Sequence, residues 1–575
     1  MNLLEIKNLT IQFKSQEQTL KAVDDISFVL GSGETLAIVG ESGSGKSVTC
    51  LSVLKLINEQ NCQNVSGEII YYEKDKASVN LLKLNDKELQ SYRGKKIAMI
   101  FQEPMTSLNP VFTCGEQLRE SLHKHQKLSK KQIKAKIISL FNEVKLPKPE
   151  RIYKSYPHEL SGGQRQRVMI AMAVSCEPDI LIADEPTTAL DVTVQKSILQ
   201  LLKNLQSQYK MSIIFITHDL NLVFGFADRV LVMYKGKIVE QGTVKDIVSH
   251  PKHPYTKGLL ACRPSLKTTK RILPTISDFM EIDEKGNIIE KNTVITDDIS
   301  ERKAKKSPVY SKEPILRIIN IKNYFPIFGG FLNKTKDYVK ALDNVSLDVY
   351  PGETLGLVGE SGCGKTTLGR TILRLIKPDE GKIIFNNTDI AKLSDKQLRK
   401  LRKDMQIIFQ DPYSSLNPHI SIGKAITEPM KIHNIFSNEK DRKYRAMEIL
   451  EKVGLNTTHF NKYPYEFSGG QRQRICIARA LALNPKFIVC DESVSALDVS
   501  IQAQVLNLLN RLKEEFNFTN IFISHDLSVV KYISDRIVIM QNGRIVESGF
   551  TNNIYQNPQS EYTKTLLAAI PSFQE

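Results

Sequence analysis

The chain shows the same order of hydrophobic patterns twice. Alternating apolar and polar residues at 4–13 and again at 316–325 are typical of strands with one buried face. Short apolar runs at 36–39 and 355–358 predict fully buried strands. Later in each copy, apolar residues spaced i, i+3, i+4 and i+7 predict an amphipathic helix whose apolar stripe belongs to the core. The residues of the two stripes are Ile198, Leu201, Leu202 and Leu205, and Val505, Leu508, Leu509 and Leu512.

The spacing of this repeat indicates duplicated domains. Corresponding residues lie 319 positions apart at Gly40 and Gly359, and 307 positions apart at Ser161 and Ser468. The first copy is therefore longer before this point, and the difference falls within the polar stretch 61–85, which we predict to be a surface loop. A period of this length is that of whole domains and not of a solenoid.

The patterns divide the chain into two domains and a linker. We predict a first α/β domain over residues 1–266, a linker over 267–313 and a second α/β domain over 314–575. The charged, helix-like segments 103–160 and 411–467 predict a helical arm on each α/β core. The linker is rich in charge, Ser and Thr and poor in aromatic residues, so we expect a mostly irregular tether with room for one short strand. Such a tether allows two domains to meet in any orientation.

The composition predicts a soluble, intracellular globular protein. Of the 575 residues, 41% are hydrophobic and 25% are charged. No apolar run approaches the ~18 residues that cross a bilayer, and residues 1–5 do not begin a signal peptide. The eight cysteines are scattered without a C-x-x-C pair, which argues against a zinc or iron–sulfur site and fits reduced thiols.

The net charge of +16 leaves three interpretations open. An excess of basic residues is compatible with a solvated lysine-rich surface, with proximity to anionic lipid, or with binding to nucleic acid. The lysines are spread along the chain, and the densest runs, 124–136 and 303–306, lie in the predicted arm and linker. This distribution favours the solvated surface and gives nucleic-acid binding the least support.

Each copy contains a glycine-rich octapeptide directly after its short apolar run. Both octapeptides match G-x-x-x-x-G-K-[ST], the pattern of a phosphate-binding loop between a strand and a helix. The glycines let backbone N–H groups turn toward phosphates, and the helix N-terminus adds partial positive charge. We predict that Lys46 and Lys365 reach the β- and γ-phosphates and that Ser47 and Thr366 bind Mg²⁺. The two loops consist of Gly40, Glu41, Ser42, Gly43, Ser44, Gly45, Lys46 and Ser47, and of Gly359, Glu360, Ser361, Gly362, Cys363, Gly364, Lys365 and Thr366.

An acidic pair ends an apolar strand in each copy. These pairs are Asp184 with Glu185 and Asp491 with Glu492. Downstream of a phosphate loop, the Asp is suited to hold Mg²⁺ and the adjacent Glu to polarise a water in line with the γ-phosphate. A solvated acidic turn is the weaker alternative, because the pair occurs twice at the same spacing.

Two further polar residues recur in both copies. His218 and His525 close the next apolar strands, and their duplication at the same spacing as the acidic pair favours a role at the γ-phosphate over a structural one. Gln102 and Gln410 follow Ile-Phe and precede an acidic residue and Pro. A neutral amide can ligate Mg²⁺ or hold the attacking water without adding charge, and both possibilities stay open.

A second anion site is predicted at a Ser-Gly-Gly-Gln sequence that opens a helix in each copy. A hydroxyl and free N–H groups at the positive end of a helix attract anions. Two anion sites per domain with one nucleotide suggest that each nucleotide is clamped between domains. The two segments are Ser161, Gly162, Gly163 and Gln164, and Ser468, Gly469, Gly470 and Gln471.

With these motifs the chain resembles the ATP-binding-cassette (ABC) ATPases over nearly its whole length apart from the linker. Walker A, Q-loop, signature, Walker B, D-loop and H-loop all match in both copies; the D-loops are 189–191 and 496–498. The resemblance implies a head-to-tail pair of cassettes. One ATP would then lie between residues 40–47 and 468–471, and the other between 359–366 and 161–164. Phe13 and Phe325 stand where the family stacks an aromatic ring on adenine, although Tyr324 competes with Phe325.

Subfamily motifs resemble the ATPases of oligopeptide, dipeptide and nickel importers. They occur at 102–110 and 410–418 and in the tails 253–256 and 561–563. Those systems usually encode two unlike ATPases, and this chain resembles a fusion of both. The resemblance implies ATP and Mg²⁺ as cofactors, two transmembrane permease subunits and an external solute-binding protein as partners, and no nucleic acid. It also implies a peripheral position on the cytoplasmic face of the inner membrane.

The chain departs from the family pattern at three positions. Phe467 replaces the signature Leu, Ser493 replaces a Pro, and Met172 stands where the second copy has Arg479. None of these changes removes a catalytic group, so we expect both sites to hydrolyse ATP.

Two points remain open from the sequence. The alternative function is a soluble tandem-cassette protein that acts on ribosomes or DNA, but the chain lacks the long helical linker and the zinc-binding C-x-x-C pairs of such proteins. The cargo is the second point: peptide, glutathione, nickel and small modified peptides all fit, with peptide favoured by resemblance.

Overall fold

The computed structural model describes most of the chain. The ranges are 1–14, 19–57, 62–73, 77–102, 107–188, 190–264, 266, 272–283, 287–291, 309–329, 334–495 and 497–570. Much of the predicted linker therefore lies outside the described residues. The same holds for residues 103–106 of the first Gln segment and for Ala189 and Ala496 of the predicted D-loops.

The first half contains ten strands and ten α-helices among the described residues. The strands are β1 (Asn2–Lys14), β2 (Thr19–Gly31), β3 (Thr35–Val39), β4 (Cys62–Tyr71), β5 (Val79–Asn80), β6 (Ile97–Ile100), β7 (Ile180–Asp184), β8 (Ser212–Thr217), β9 (Arg229–Tyr234) and β10 (Lys237–Thr243). The helices are α1 (Lys46–Val53), α2 (Asp86–Leu89), α3 (Cys114–His125), α4 (Lys130–Glu143), α5 (Pro149–Lys154), α6 (Gly162–Val174), α7 (Val192–Tyr209), α8 (Leu220–Val223), α9 (Val244–Ser249) and α10 (Pro254–Ala261).

A short connecting unit and the second half follow. The connecting unit consists of α11 (Ile276–Phe279), β11 (Met280–Ile282) and β12 (Ile288–Glu290). The strands of the second half are β13 (Leu316–Gly329), β14 (Lys334–Val349), β15 (Thr354–Val358), β16 (Glu380–Phe385), β17 (Thr388–Asp389), β18 (Met405–Ile408), β19 (Phe487–Asp491), β20 (Thr519–Ile523), β21 (Arg536–Gln541) and β22 (Arg544–Phe550). Its helices are α12 (Lys365–Ile372), α13 (Asp395–Leu401), α14 (Pro412–Ser415), α15 (Ile422–Ile432), α16 (Glu439–Lys452), α17 (Gly469–Leu481), α18 (Val499–Phe516), α19 (Leu527–Ile533), α20 (Thr551–Gln556) and α21 (Glu561–Ala568).

Each half is built from the same two sheets. In the first half a six-stranded sheet has the order β10-β9-β3-β8-β7-β6, and all neighbours are parallel except β9 and β10. A four-stranded antiparallel sheet has the order β2-β1-β4-β5. The second half repeats both orders, as β22-β21-β15-β20-β19-β18 and β14-β13-β16-β17. The two predicted α/β units are confirmed.

The central strand shows why the chain folds into layers. All five residues of β3 are buried. Leu36 and Ile38 pack in the cluster under the four-stranded sheet, while Ala37 and Val39 pack in the cluster under the helices. A strand covered on both faces is expected to read as a continuous apolar run. The strand's carboxyl end opens directly into the phosphate loop.

The predicted surface loop in the stretch 61–85 is wrong for most of its described residues. They form β4, which pairs with β1, and β5, which pairs with β4. β4 has 10 residues, whereas its counterpart β16 has six. The added residues extend the strand beyond the buried part of the sheet, so their polar side chains face solvent and gave no apolar alternation.

The described part of the predicted linker is more ordered than a tether. β11 and β12 form an antiparallel hairpin, and Met280 packs in the core of the first half. Leu273 is fully buried in the core of the second half, where its backbone N–H and C=O both bond to the side chain of Asn507, at 2.9 and 2.8 Å. This segment thus ties the two halves together, and it does not leave their orientation free. The domain limits themselves stay predictions.

Within the ranges that are described, no helix is both long enough and apolar enough to cross a membrane.

Candidate nucleotide-binding and catalytic sites

The phosphate loops have backbone geometry that only glycine can supply. Gly45 caps α1 with φ 101° and Gly364 caps α12 with φ 107°, in the left-handed region that side chains disfavour. A Cβ at Gly45 would lie 2.4 Å from the carbonyl oxygen of Ala22. Each loop therefore connects a buried strand to a helix N-terminus through a backbone packed against its neighbours. This is the context that the sequence predicted.

The two loop lysines lie inside their loops. The Nζ atom of Lys46 donates to the carbonyl oxygens of Gly40 and Glu41 at 2.8 and 2.7 Å. The Nζ atom of Lys365 makes the equivalent contacts in the second loop, at 2.7 and 2.9 Å. Burial lowers the pKa of Lys46, although neighbouring carboxylates oppose this shift. Each ammonium group is thus a buried point charge held in position by the loop backbone.

A hydroxyl and a carboxylate meet at the start of each loop helix. Ser47 Oγ donates to Asp184 Oδ1 at 3.1 Å, and Thr366 Oγ1 donates to Asp491 Oδ1 at 2.9 Å. Burial raises the pKa of Asp184 to about 6 and also raises that of Asp491. Both groups are hard oxygen donors in a partly dehydrated position, and such donors fit Mg²⁺.

In the first half, two of the predicted residues converge on the carboxylate of a third, Glu185. Gln102 Nε2 lies 3.1 Å from Glu185 Oε2, and His218 Nδ1 lies 3.2 Å from Glu185 Oε1. Thr188 Oγ1 also donates to Glu185 Oε2, at 2.9 Å. Burial raises the pKa of Glu185, but the hydrogen bond and charge of His218 outweigh burial and lower the pKa to about 2. The carboxylate is therefore ionised and oriented.

The second half repeats this cluster. Gln410 Nε2 lies 2.8 Å from Glu492 Oε2, and His525 Nδ1 lies 3.6 Å from the same oxygen. Burial opposes ionisation of both groups, yet their mutual attraction lowers the pKa of Glu492 and raises that of His525. In both halves the Gln amide contacts the glutamate directly, a contact that sequence reasoning did not specify.

Each signature segment forms a helix N-terminus, as predicted. Ser161 caps α6 by accepting from the backbone N–H of Gln164 at 3.3 Å, and the Gln164 side chain accepts from the N–H of Ser161 at 3.1 Å. Ser468 and Gln471 make the same reciprocal pair at α17. Gly162, Gly163, Gly469 and Gly470 begin the two helices and add no side chain of their own at the helix N-termini.

The two halves contact each other through their phosphate loops. Asp498, in the second half, accepts from the backbone N–H and the hydroxyl of Ser42 at 3.1 and 2.9 Å. Asp191, in the first half, accepts from the N–H of Ser361 at 3.4 Å. These reciprocal contacts join the D-loop of each half to the phosphate loop of the other. They form a head-to-tail arrangement.

Two residues of this interface were not identified from the sequence. Thr193 Oγ1 donates to Glu360 Oε1 at 2.8 Å, and Ser500 Oγ contacts Glu41 Oε1. Burial, and then the charge of Asp498, raise the pKa of Glu41 to about 7. The available signal was the recurrence of a hydroxyl residue at the 307-residue offset, two positions after each D-loop aspartate.

The predicted adenine-stacking rings differ in exposure. Phe13 is half-buried against the core, whereas Phe325 is 42% exposed. Tyr324 is engaged elsewhere, because its hydroxyl donates to Asp343 Oδ1 at 2.8 Å and Lys340 lies over its ring. The stacking role of Phe13 and Phe325 stays a prediction.

Comparison with known proteins gives the family. The ABC transporter family matches residues 23–188 and 342–495, and the oligopeptide/dipeptide transporter C-terminal region matches 239–287 and 546–575. The glutathione import ATP-binding protein GsiA of Escherichia coli (strain K12) is 49% identical over 575 residues, covering 99% of this chain and 90% of the relative. Its counterpart in Salmonella choleraesuis (strain SC-B67) is 48% identical over 571 residues, with the same coverage.

A solved structure described as a dimeric bacterial ABC transporter cassette, MJ0796, is 30% identical with a TM-score of 0.38, covering 41% of this chain and 98% of that one. The matches do not favour a protein acting on ribosomes or DNA. Both halves of the chain match the ABC transporter family, and both match the oligopeptide/dipeptide transporter C-terminal region at their ends. The relatives are named as import ATP-binding proteins. The chain therefore belongs to the ABC transporter family, as an ATP-binding and ATP-hydrolysing importer subunit that works with transmembrane permease partners.

Proposed function

We propose that this chain is the tandem ATPase of an importer for glutathione or similar small peptides. It would serve two permease subunits and an external solute-binding protein from the cytoplasmic face of the membrane. The observation that carries the proposal is the reciprocal contact of Asp498 with Ser42 and of Asp191 with Ser361, because it brings each phosphate loop against the opposite half.

The two nucleotides are proposed to lie between the halves. One would bind at residues 40–47 and face 468–471, and the other would bind at 359–366 and face 161–164. Lys46 or Lys365 would bind the β- and γ-phosphates, and the N-terminus of the opposite signature helix would supply a second anion contact. Phe13 and Phe325 would stack on the adenines. The proposed units are residues 1–266 and 314–575, joined by 267–313.

The catalytic roles follow from the two glutamate clusters. Glu185 and Glu492 are ionised, so each is suited to accept a proton from an attacking water. His218 and His525 hold the glutamates and are near enough to the same centre to contact a γ-phosphate.

Gln102 and Gln410 complete each cluster. Each amide would join the glutamate to the attacking water or to the metal. Ser47 with Asp184, and Thr366 with Asp491, would hold Mg²⁺, which neutralises charge on the β- and γ-phosphates when bound.

The helical arms provide a surface for the permease partners. Val111 and Phe112 lie shortly after Gln102 and are 71% and 50% exposed. In the second half, Tyr413 lies three positions after Gln410 and is 65% exposed. Large apolar side chains that stay exposed beside a catalytic loop are suited to a protein partner. A shift of the Gln102 or Gln410 loop on ATP binding would thus move a docked permease segment.

The cargo assignment rests on the relatives, whose names describe glutathione import. The test is to purify the tagged chain from detergent-solubilised membranes, identify the permeases and binding protein that accompany it, and titrate the binding protein with glutathione, dipeptides and Ni²⁺. We expect glutathione or a short peptide to bind. Binding of Ni²⁺ alone would overturn the assignment of a peptide cargo. Co-purification with ribosomes in place of permeases would overturn the proposed importer function.

A further inference from the structure

One arginine lies where the two His-bearing loops approach each other. Arg263 follows α10 at the end of the first half, in a segment that continues onto the second half. Its guanidinium contacts Asp219 Oδ2, and its Nη2 atom lies 3.3 Å from Asp526 Oδ2. Asp219 and Asp526 directly follow the catalytic histidines His218 and His525. A single side chain therefore touches the H-loop of both halves.

Both aspartates divide their oxygens between two tasks. Oδ1 of Asp219 caps α8 by accepting from the N–H of Asn221 at 2.9 Å. Oδ1 of Asp526 caps α19 by accepting from the N–H of Ser528 at 2.8 Å. In each case Oδ2 is left for the arginine. The guanidinium therefore acts on two loops whose backbone is already fixed by capping.

The three charges are shielded from water. The side chains of Arg263, Asp219 and Asp526 are 17%, 13% and 21% exposed. Two carboxylates brought to one partly buried place repel each other, and a cation between them converts the repulsion into attraction. Removal of the arginine would leave this pair uncompensated exactly where the halves meet, which is costly for a shielded charge.

The arrangement is asymmetric. The tail of the second half aligns with that of the first at the 307-residue offset, and it has Ile570 where the first has Arg263. The arginine's own segment is held on the second half, because Lys531 donates to the carbonyl oxygen of Leu266 and Leu273 is bonded to Asn507. One half thus supplies the cation for both H-loops.

We propose that Arg263 is a positioning residue that couples the two ATP sites by holding the H-loops of both halves together in the head-to-tail state. The inference rests on the composite nucleotide sites proposed above. ATP at one site then favours the closed position of the other loop as well, because the two loops share one cation. Coupling of this kind typically changes affinity by a factor of about 5 to 150.

The test compares steady-state ATPase activity of the full chain in four forms. Arg263→Ala should lower kcat/KM roughly tenfold and bring the Hill coefficient for ATP to about 1. Arg263→Lys should retain part of both values, since a lysine keeps the charge but loses the fork geometry. Arg263→Ala combined with Asp219→Asn and Asp526→Asn should regain about threefold in kcat/KM, because the repulsion is gone while asparagine still caps both helices. Arg151→Ala, at an exposed arginine, is the matched control.

The outcomes separate this inference from the proposed function. A wild-type chain without ATPase activity overturns the proposed sites themselves. Normal wild-type activity with an unchanged Arg263→Ala variant overturns only the coupling role. A triple variant as impaired as Arg263→Ala also overturns it, because this result assigns the arginine to packing. Melting temperatures measured without nucleotide identify a variant that fails to fold. If Arg263→Ala fails to fold, the Hill coefficient of Arg263→Lys tests the coupling role, and a wild-type Hill coefficient in that variant overturns it.

Discussion

The two halves have the same reacting groups but different supports around them. Glu185 receives hydrogen bonds from Gln102 and Thr188, whereas Glu492 receives one from Gln410. The residue that matches Thr188 is Ser495, and its hydroxyl donates to the backbone carbonyl of Glu492 at 2.9 Å and not to the carboxylate. The first carboxylate is thus held by one more donor than the second.

The signature helices differ in a similar way. Arg479 on α17 donates to the carbonyl oxygen of Ser415, which lies just after the Gln410 loop, whereas Met172 occupies the same position on α6 and packs against apolar residues. The arginine links signature helix to arm by a charged hydrogen bond. Duplication has therefore kept the chemistry of each site and changed what holds it. We expect two working sites with unequal rates.

The largest effect should come from removing both glutamates. Glu185→Gln with Glu492→Gln keeps the shape but removes the proton acceptor, so ATP turnover should fall at least ~100-fold while ATP binding persists. Single variants then give the contribution of each half. Turnover is measured by phosphate release and binding by calorimetry, with Glu150→Gln and Glu439→Gln at exposed positions as controls. Near-wild-type turnover in the double variant would falsify the assignment.

Blocking one signature helix should disable the site of the opposite half. Ser468→Arg places a bulky cation at the helix end that faces Lys46, and we expect roughly tenfold less nucleotide trapping there than at Lys365. Ser161→Arg is the matched variant with the opposite result. Azido-ATP labelling followed by peptide mapping locates the loss. Loss at the loop of the same half would contradict the crossed arrangement.

The extra donor on Glu185 can be tested directly. Thr188→Ala removes a hydrogen bond to the carboxylate, which is worth about 1 kcal/mol, so turnover at the first site should fall about fivefold. Ser495→Ala removes only a contact to a backbone carbonyl and should change turnover at the second site by less than about twofold. Each variant is measured with the other site silenced by Glu492→Gln or Glu185→Gln. Equal losses of turnover in the two variants would contradict the assignment of an extra stabilising hydrogen bond to Glu185.

The pH dependence of stability should respond to substitution of the interface residue Glu41. The pKa of Glu41 rises from 4.5 to about 7 on folding, so the folded chain keeps a proton that the unfolded chain has lost. This contribution to stability is therefore present below about pH 4.5 and is lost as pH rises to about 7. Glu41→Gln should flatten this slope in melting temperatures across that window. An unchanged slope in the Glu41→Gln variant contradicts the expectation.

The smallest effect concerns the adenine. The chain contains no tryptophan, so Phe13→Trp and Phe325→Trp each introduce a single fluorophore. ATP should quench both, and Phe325→Trp more strongly, because the more exposed ring loses more water on stacking. KM should change by no more than about threefold. Phe112→Trp in the arm is the control, and a quench of equal size there would remove the stacking assignment.

Local patterns were sufficient for the elements and for where the chain places the candidate reacting groups. The strands before the phosphate loops, the helices after Ser161 and Ser468, and the strand ends that carry Asp184 and Asp491 all lie where the pattern predicted. These features depend on residues within one or two turns of each other, so periodicity and spacing record them. The stretch 61–85 was missed because its exposed strand residues carry no apolar alternation.

Contacts between distant residues were decided by the tertiary structure alone. The Gln102–Glu185 hydrogen bond joins residues that are 83 positions apart, and the Asp498–Ser42 contact joins residues that are 456 positions apart. The hydrogen bond between Leu273 and Asn507 spans 234 positions. A linear pattern does not indicate which carboxylate an arginine will contact, so the sequence did not single out Arg263. The sequence thus determined the elements and the candidate groups at their ends. Packing of the two halves determined which groups hold those candidates, because only the fold brings such distant charges within hydrogen-bonding distance.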